Sequence, residues 1–126
     1  MQAISRGVMV VDDDVDVREA LAMTLELHGY LVLLAKDGAE ALTLLRGDEC
    51  RPCLILLDLM MPRMSGLEFR TEQLLDPCLA AIPVVVVTGA GRGVDQAALS
   101  GVGLEVITKP VSVDGLLEWV RRFCTP

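Results

Sequence analysis

The sequence predicts a doubly wound α/β fold: a five-stranded parallel sheet with helices on both of its faces. Three observations carry that prediction. Short apolar runs alternate along the chain with stretches whose apolar residues recur at spacings of three and four, the signature of strand followed by helix. Four of the five runs carry no charged or polar side chain, as suits strands covered on both faces, and the fifth has only Glu105. Strand and helix alternate throughout, and right-handed crossovers then place helices on both faces.

The first strand is predicted at Val8 to Val11. The helix after it carries Val17, Ala20, Leu21, Met23, Thr24, Leu25 and Leu27 before Gly29 ends it, with Asp14 as its cap and Asp16 in the first turn, where the dipole favours an acid. His28 is expected at the negative end of that helix. Tyr30 to Ala35 is the second strand. Asp37-Gly38-Ala39-Glu40 reads as a capping box opening a helix through Leu42, Leu44 and Leu45 to Gly47. Cys53 to Leu57 is the third strand, and Ser65-Gly66-Leu67-Glu68 a second capping box, whose helix carries Phe69, Leu74 and Leu75 and ends before Pro77. Ile82 to Val87 is the fourth strand, with Pro83 near its start, where a missing N–H is tolerated. A helix from Arg92 to Ser100, crowded by Gly91, Gly93 and Gly101, leads to a fifth strand at Leu104 to Ile107. Ser112 caps a last helix that turns Val113, Leu116, Leu117, Val120 and Phe123 inward.

At 126 residues and 13.6 kDa the chain reads as a single domain over residues 1–126, long enough to bury roughly two-thirds of the surface its unfolded form exposes. Apolar residues make up 52% and aromatic residues 3%, so the core must be built from Val, Leu, Ile, Ala and Met. Residues 1–7 carry no signal-like apolar stretch, and no run approaches the roughly 18 residues of a membrane span, which makes the expected compartment the cytoplasm. The net charge of -7 and the absence of a Lys/Arg cluster argue against direct contact with nucleic acid or anionic membrane. Cys50 and Cys53 form a C-x-x-C pair with no second pair to complete a zinc site, and the four cysteines are read as small packing residues of a reduced compartment.

Four apolar runs end in polar chemistry: Asp12-Asp13, Asp58, Thr88 and Lys109-Pro110. A parallel sheet gathers the carboxyl ends of its strands along one edge, where ligands bind, so these residues are expected to meet in one acidic pocket. Three carboxylates about 5 Å apart repel by about 3 kcal/mol per pair at an effective dielectric near 20. A divalent cation together with Lys109 would balance Asp12, Asp13 and Asp58, and an all-oxygen donor set suits Mg²⁺. Flanked by cations, Asp58 can attack phosphorus to form an aspartyl phosphate, with Thr88 and Lys109 as donors to the new phosphoryl group. Gly89 and Ala90 leave little bulk to shield it.

The segments VMVVDDDVDVREAL, LILLDLMMPRMSGLEF, VVVVTGA and VITKPV resemble, in order and spacing, the signature segments of the receiver domains of two-component response regulators. The resemblance spans nearly the whole chain and implies a flavodoxin-like strand order 2-1-3-4-5. It implies that Asp58 is the phosphoacceptor, that Asp13 and Asp58 ligate Mg²⁺ directly, that Asp12 holds the ion largely through water, and that the Met60 carbonyl is the third protein ligand. It makes Thr88 the switch hydroxyl, Lys109 the phosphate-binding lysine and Lys109-Pro110 a cis peptide bond. The implied donors are a histidine kinase, a histidine phosphotransfer protein or a small acyl phosphate. The implied output is a change in the surface of the fourth helix, fifth strand and fifth helix, read by an output domain or a downstream protein. One position departs from the family: Val106 stands where many receivers place the Tyr or Phe that swings behind the threonine.

Several features have plainer readings. Gly89, Gly91 and Gly93 lack the continuation of a phosphate loop and are read as turn residues. Met60, Met61 and Met64 are read as closing a loop over the pocket. Two other functions compete with a non-enzymatic receiver that catalyses only its own phosphorylation and dephosphorylation. Asp12-x-Asp14 resembles the nucleophile motif of haloacid-dehalogenase-type phosphatases, but Asp16 stands where Thr or Val is usual and a terminal acidic pair is missing. The absent aromatic at Val106 admits a receiver-like binding module that works without phosphate.

Overall fold

In the computed structural model, five parallel strands lie in the order β2-β1-β3-β4-β5, the order the resemblance implied. The structure describes residues 7–47, 51–59, 61, 63–89, 104–109 and 111–124. The strands are β1 (Val8–Val11), β2 (Val32–Ala35), β3 (Leu54–Leu57), β4 (Val84–Gly89) and β5 (Glu105–Lys109). Helices α1 (Val15–Leu27), α2 (Gly38–Leu45) and α3 (Gly66–Leu75) follow β1, β2 and β3, and a C-terminal helix (Val113–Phe123) follows β5. The expected helix over Arg92 to Ser100 lies outside the described residues. No described helix is long and apolar enough to cross a membrane.

Strand period two sorts the core into two layers. Met9, Val11, Ile55, Leu57, Val84 and Val86 point to the face covered by α2 and α3, where Ala41, Leu42, Leu45 and Phe69 pack on them. Val8, Val10, Leu54, Leu56, Val85 and Val87 point to the face covered by α1 and the C-terminal helix, where Leu21, Leu25, Leu116, Leu117 and Val120 pack. Every residue of β1 and β3 is buried, which explains why these runs show no alternation.

Helix starts follow the sequence closely. The Asp14 carboxylate accepts from the Asp16 and Val17 amides, and His28 is the C-cap of α1, its Nδ1 2.9 Å from the Thr24 carbonyl oxygen. Ser65 and Glu68 complete a reciprocal capping box on α3. On α2 the box is displaced by one residue: Asp37 accepts from the Glu40 amide at 2.8 Å, but the Glu40 carboxylate accepts from the Lys36 amide rather than from Asp37.

Strand ends differ more. β2 begins at Val32 rather than Tyr30, and β4 runs from Val84 to Gly89, two residues beyond the expected end. β5 likewise reaches Lys109. Pairing explains the extension: Thr88 lies opposite Thr108 and Gly89 opposite Lys109, so each strand supplies ladder partners that the other could not have alone. Gln73, wholly buried, fixes the approach to β4. Its Nε2 donates to the Leu79 and Ile82 carbonyls at 2.9 Å each, and its Oε1 accepts from Arg70 at 2.9 Å. Burial lowers the pKa of the Arg70 guanidinium below its usual value.

Two expectations need correction. Cys53 and Cys124 are joined in a disulfide across a sequence separation of 71, and are not both free packing thiols. The C-terminal helix lies on the face to which β3 contributes Leu54 and Leu56, and this brings its C-cap, Cys124, beside Cys53 just before β3. Met61 is buried in the α2–α3 layer and Met64 packs against it, with the Met64 side chain against Gly38, so these two methionines fill the core rather than cover the pocket. Met60 lies outside the described residues.

Candidate functional site

The carboxyl ends of β1, β3, β4 and β5 meet around a cavity of about 380 Å³ whose walls include Asp12, Asp13, Asp58, Thr88, Gly89 and Lys109. Parallel register makes this arrangement. Val11 lies opposite Leu57, so Asp12 and Asp58 leave the sheet side by side, and the Asp58 amide donates to the Val11 carbonyl at 2.9 Å. Asp12 is fixed from the other side, its amide donating to the Ala35 carbonyl at 3.1 Å.

Carboxylate oxygens of Asp12, Asp13 and Asp58 all lie within 4.8 Å of one another. Asp12 and Asp58 are buried, at 2% and 7% exposure, while Asp13 is exposed. Lys109 Nζ stands 3.3 Å from Asp12 Oδ2, and the other Asp12 oxygen accepts from the Asp14 amide at 2.9 Å. The lysine stem also borders an apolar cavity of about 460 Å³ together with Val17, Leu21, Val87 and Val111, so its methylenes run along apolar surface while its charge reaches the acids. Thr88 is 2% exposed, and its Oγ1 has no hydrogen-bond partner among the described residues. Such a buried hydroxyl is costly unless a ligand uses it.

Hard oxygen donors, an excess of negative charge and one exposed acid at the mouth fit a hard divalent cation. The orphaned hydroxyl of Thr88 and the Lys109 ammonium, both lining the same cavity, fit a tetrahedral oxyanion beside it. The structure therefore brings together Asp12, Asp13, Asp58, Thr88 and Lys109, all five of the side chains that the sequence singled out. The backbone ligand expected at Met60 and the Lys109-Pro110 bond lie outside the described residues. Asp14 does what its position after the acidic pair suggested and caps α1.

Arg18 escaped the sequence reading. Its Nη1 donates to the Asp12 carbonyl at 2.7 Å, tying the β1–α1 turn to the first turns of α1. A cation one helical turn past an acidic loop is the only sequence signal for it, and that signal is weak on its own. Val106 lies opposite Val86 and packs, half-buried, on the α2–α3 layer, beside the strand that carries Thr88.

Comparison with known proteins agrees with this geometry. Residues 8–121 match the family described as response regulator receiver domain. The chain is 38% identical over 115 residues to response regulator MprA of Mycolicibacterium vanbaalenii, and 37% identical over 119 residues to that of Mycobacterium ulcerans. These alignments take in 90% and 94% of the chain but 48% and 50% of the relatives, so the chain spans about half the length of the curated relatives it matches. Among solved structures, a response regulator receiver protein from Pseudomonas putida superposes with a TM-score of 0.84 at 29% identity, covering 97% of this chain and 98% of that one. Chemotaxis protein CheY4 of Vibrio cholerae gives a TM-score of 0.81 at 28% identity, covering 98% and 99%. With the family matched from the first strand to the last helix, and its acidic pocket assembled at the sheet edge, this chain belongs to the receiver domains of two-component response regulators.

Proposed function

We propose that residues 1–126 act as one receiver domain in which Asp58 accepts a phosphoryl group from a phosphohistidine donor, in a Mg²⁺-dependent reaction within the cytoplasm. The observation that carries this reading is the convergence of three carboxylates within 4.8 Å beside an ammonium and a buried, unpartnered hydroxyl. Asp12, Asp13, Asp58 and the Met60 carbonyl would hold Mg²⁺, which when bound neutralises charge on the phosphoryl oxygens. A carboxylate oxygen of Asp58 forms the new O–P bond while the donor's P–N bond breaks, and its electron pair leaves with the imidazole. Lys109 and Thr88 donate to the transferred oxygens, and Lys109 loses some of its hold on Asp12 in doing so.

The donor is a histidine kinase or a histidine phosphotransfer protein. The domain is not a turnover enzyme, since its chemistry is limited to gaining and losing its own phosphoryl group. Readout passes through the fourth-helix segment, β5 and the C-terminal helix to an output domain or downstream protein. With Val106 in place of an aromatic rotor, that readout depends on movement of Thr88 and on backbone and packing shifts along β4 and β5.

Incubating the protein with a small acyl phosphate and Mg²⁺ should add one phosphoryl group of about 80 Da, and Asp58→Asn should abolish the addition. Stoichiometric labelling supports the receiver reading. Multiple turnover of a sugar or nucleotide phosphate would support the phosphatase alternative instead, and an unlabelled wild type, under conditions that label another receiver, would sink the phosphoacceptor assignment.

A further inference from the structure

We infer that Cys53 and Cys124 form a thiol–disulfide exchange site whose oxidation state fastens or frees the end of the C-terminal helix. The two Cα atoms are 5.5 Å apart, within the range a disulfide needs, although 71 residues separate them in sequence. Cys53 precedes β3, and its amide donates to the Gly7 carbonyl at 2.9 Å, which anchors it to the strand next door. Cys124 is the C-cap of the terminal helix and is 4% exposed, within the layer built from Leu116, Leu117 and Val120. One half of the bond therefore stands at the entry to a central strand and the other at the cap of the last helix.

Exposure sets the direction of exchange. Cys53 is half-buried and Cys124 buried, so the attack is assigned to the sulfur of the more exposed residue, Cys53. A small thiolate such as glutathione attacks Cys53 Sγ, the S–S bond breaks, and Cys124 leaves as a thiolate that takes up a proton. A second glutathione thiolate then cleaves the mixed disulfide, releasing Cys53 and one glutathione disulfide. Oxidation runs the same two exchanges backwards, with glutathione disulfide as oxidant and two glutathione thiols as product. In the cytoplasmic setting proposed above, a disulfide is expected to be switched rather than permanent. The site is separate from the phosphoacceptor pocket: Cys53 and Asp58 flank opposite ends of β3, roughly 16 Å apart at the rise of an extended strand.

The test equilibrates the intact protein across glutathione buffers from fully reducing to fully oxidising, quenches with an alkylating agent, and maps the peptides. The oxidised form should carry a Cys53–Cys124 link and be about 2 Da lighter than the reduced form. It should melt roughly 10 °C higher, and its amides in residues 113–124 should exchange more slowly with solvent. The Cys50→Ser, Cys78→Ser double variant should keep all three properties, and Cys53→Ser should lose them. Four alkylatable thiols in every buffer, a Cys50–Cys53 link in place of Cys53–Cys124, or equal exchange of the terminal helix in both forms would overturn the inference. None of these readouts depends on phosphorylation, so they fail or succeed independently of the Asp58 assignment.

Discussion

At Thr88 a hydroxyl is buried to 2% exposure without a hydrogen-bond partner among the described residues, and the cost of that desolvation falls on the unphosphorylated fold. Val has nearly the same shape, so Thr88→Val should leave the resting protein as stable as wild type or up to ~1 kcal/mol more stable in a denaturant melt. The reverse should hold once Asp58 is labelled. A hydrogen bond to a charged group contributes about 1.5–3 kcal/mol, and the variant should fall short by that amount in any stabilisation gained from acyl phosphate and Mg²⁺. Equal gains in both proteins would remove Thr88 from the phosphoryl site. The residue was legible because Thr ends a run of four valines, as Asp12 and Asp58 each end a run of apolar residues. Arg18 was not: its contact is with a backbone carbonyl, and a side chain that recognises main chain leaves no complementary residue to find.

Among the elements, α3 ties packing to chemistry most directly. Its capping box could be read from Ser65 and Glu68, but the role of Gly66 between them could not. A Cβ placed on Gly66 would stand 2.8 Å from Leu59 Cα and 2.9 Å from the Asp58 carbonyl oxygen, so the helix approaches the β3–α3 turn as closely as a missing side chain permits. Because two of those contacts are with backbone, Gly66→Ala cannot be absorbed by a rotamer change. The variant should lose about 1–3 kcal/mol of stability by denaturant melt. It should also label more slowly at Asp58, because the turn carrying that carboxylate must move. A variant labelled at the wild-type rate would mean that α3 does not position Asp58. The same asymmetry runs through the fold. Caps are local and were legible at Asp14, Asp37, Ser65 and Ser112, whereas apolar faces were legible only in part, since Val113 and Phe123, expected to turn inward, are exposed. The length of β4 and β5 was not, because Thr88 and Lys109 become strand only by pairing with Thr108 and Gly89. The disulfide was missed for a related reason. The sequence placed all four cysteines as packing residues of a reduced compartment, and the partner of Cys53 arrives only when the terminal helix is laid on the sheet.

For the whole molecule the governing quantity is charge. A chain of net charge -7 gathers three carboxylates within 4.8 Å and sets one lysine against them, so the fold holds electrostatic repulsion that a cation would relieve. Ligand linkage turns that into a measurement. At a Mg²⁺ concentration about ten times its dissociation constant, stability should rise by about 1.4 kcal/mol, or roughly 5 °C in Tm for a domain of this size. Asp13 is the exposed member of the trio, and replacing it should separate repulsion from binding. Asp13→Asn removes one charge from the cluster, which should raise the metal-free Tm by a few degrees, on the order of 1 kcal/mol given the screening available at the pocket mouth. The same variant should lose most of the rise on adding Mg²⁺. Monovalent salt should narrow the metal-free difference between the two proteins, since screening acts on the exposed charge, without restoring the response to Mg²⁺. If Asp13→Asn instead melts below wild type without metal and keeps its full Mg²⁺ response, the acidic trio is a structural network and the cation lies elsewhere.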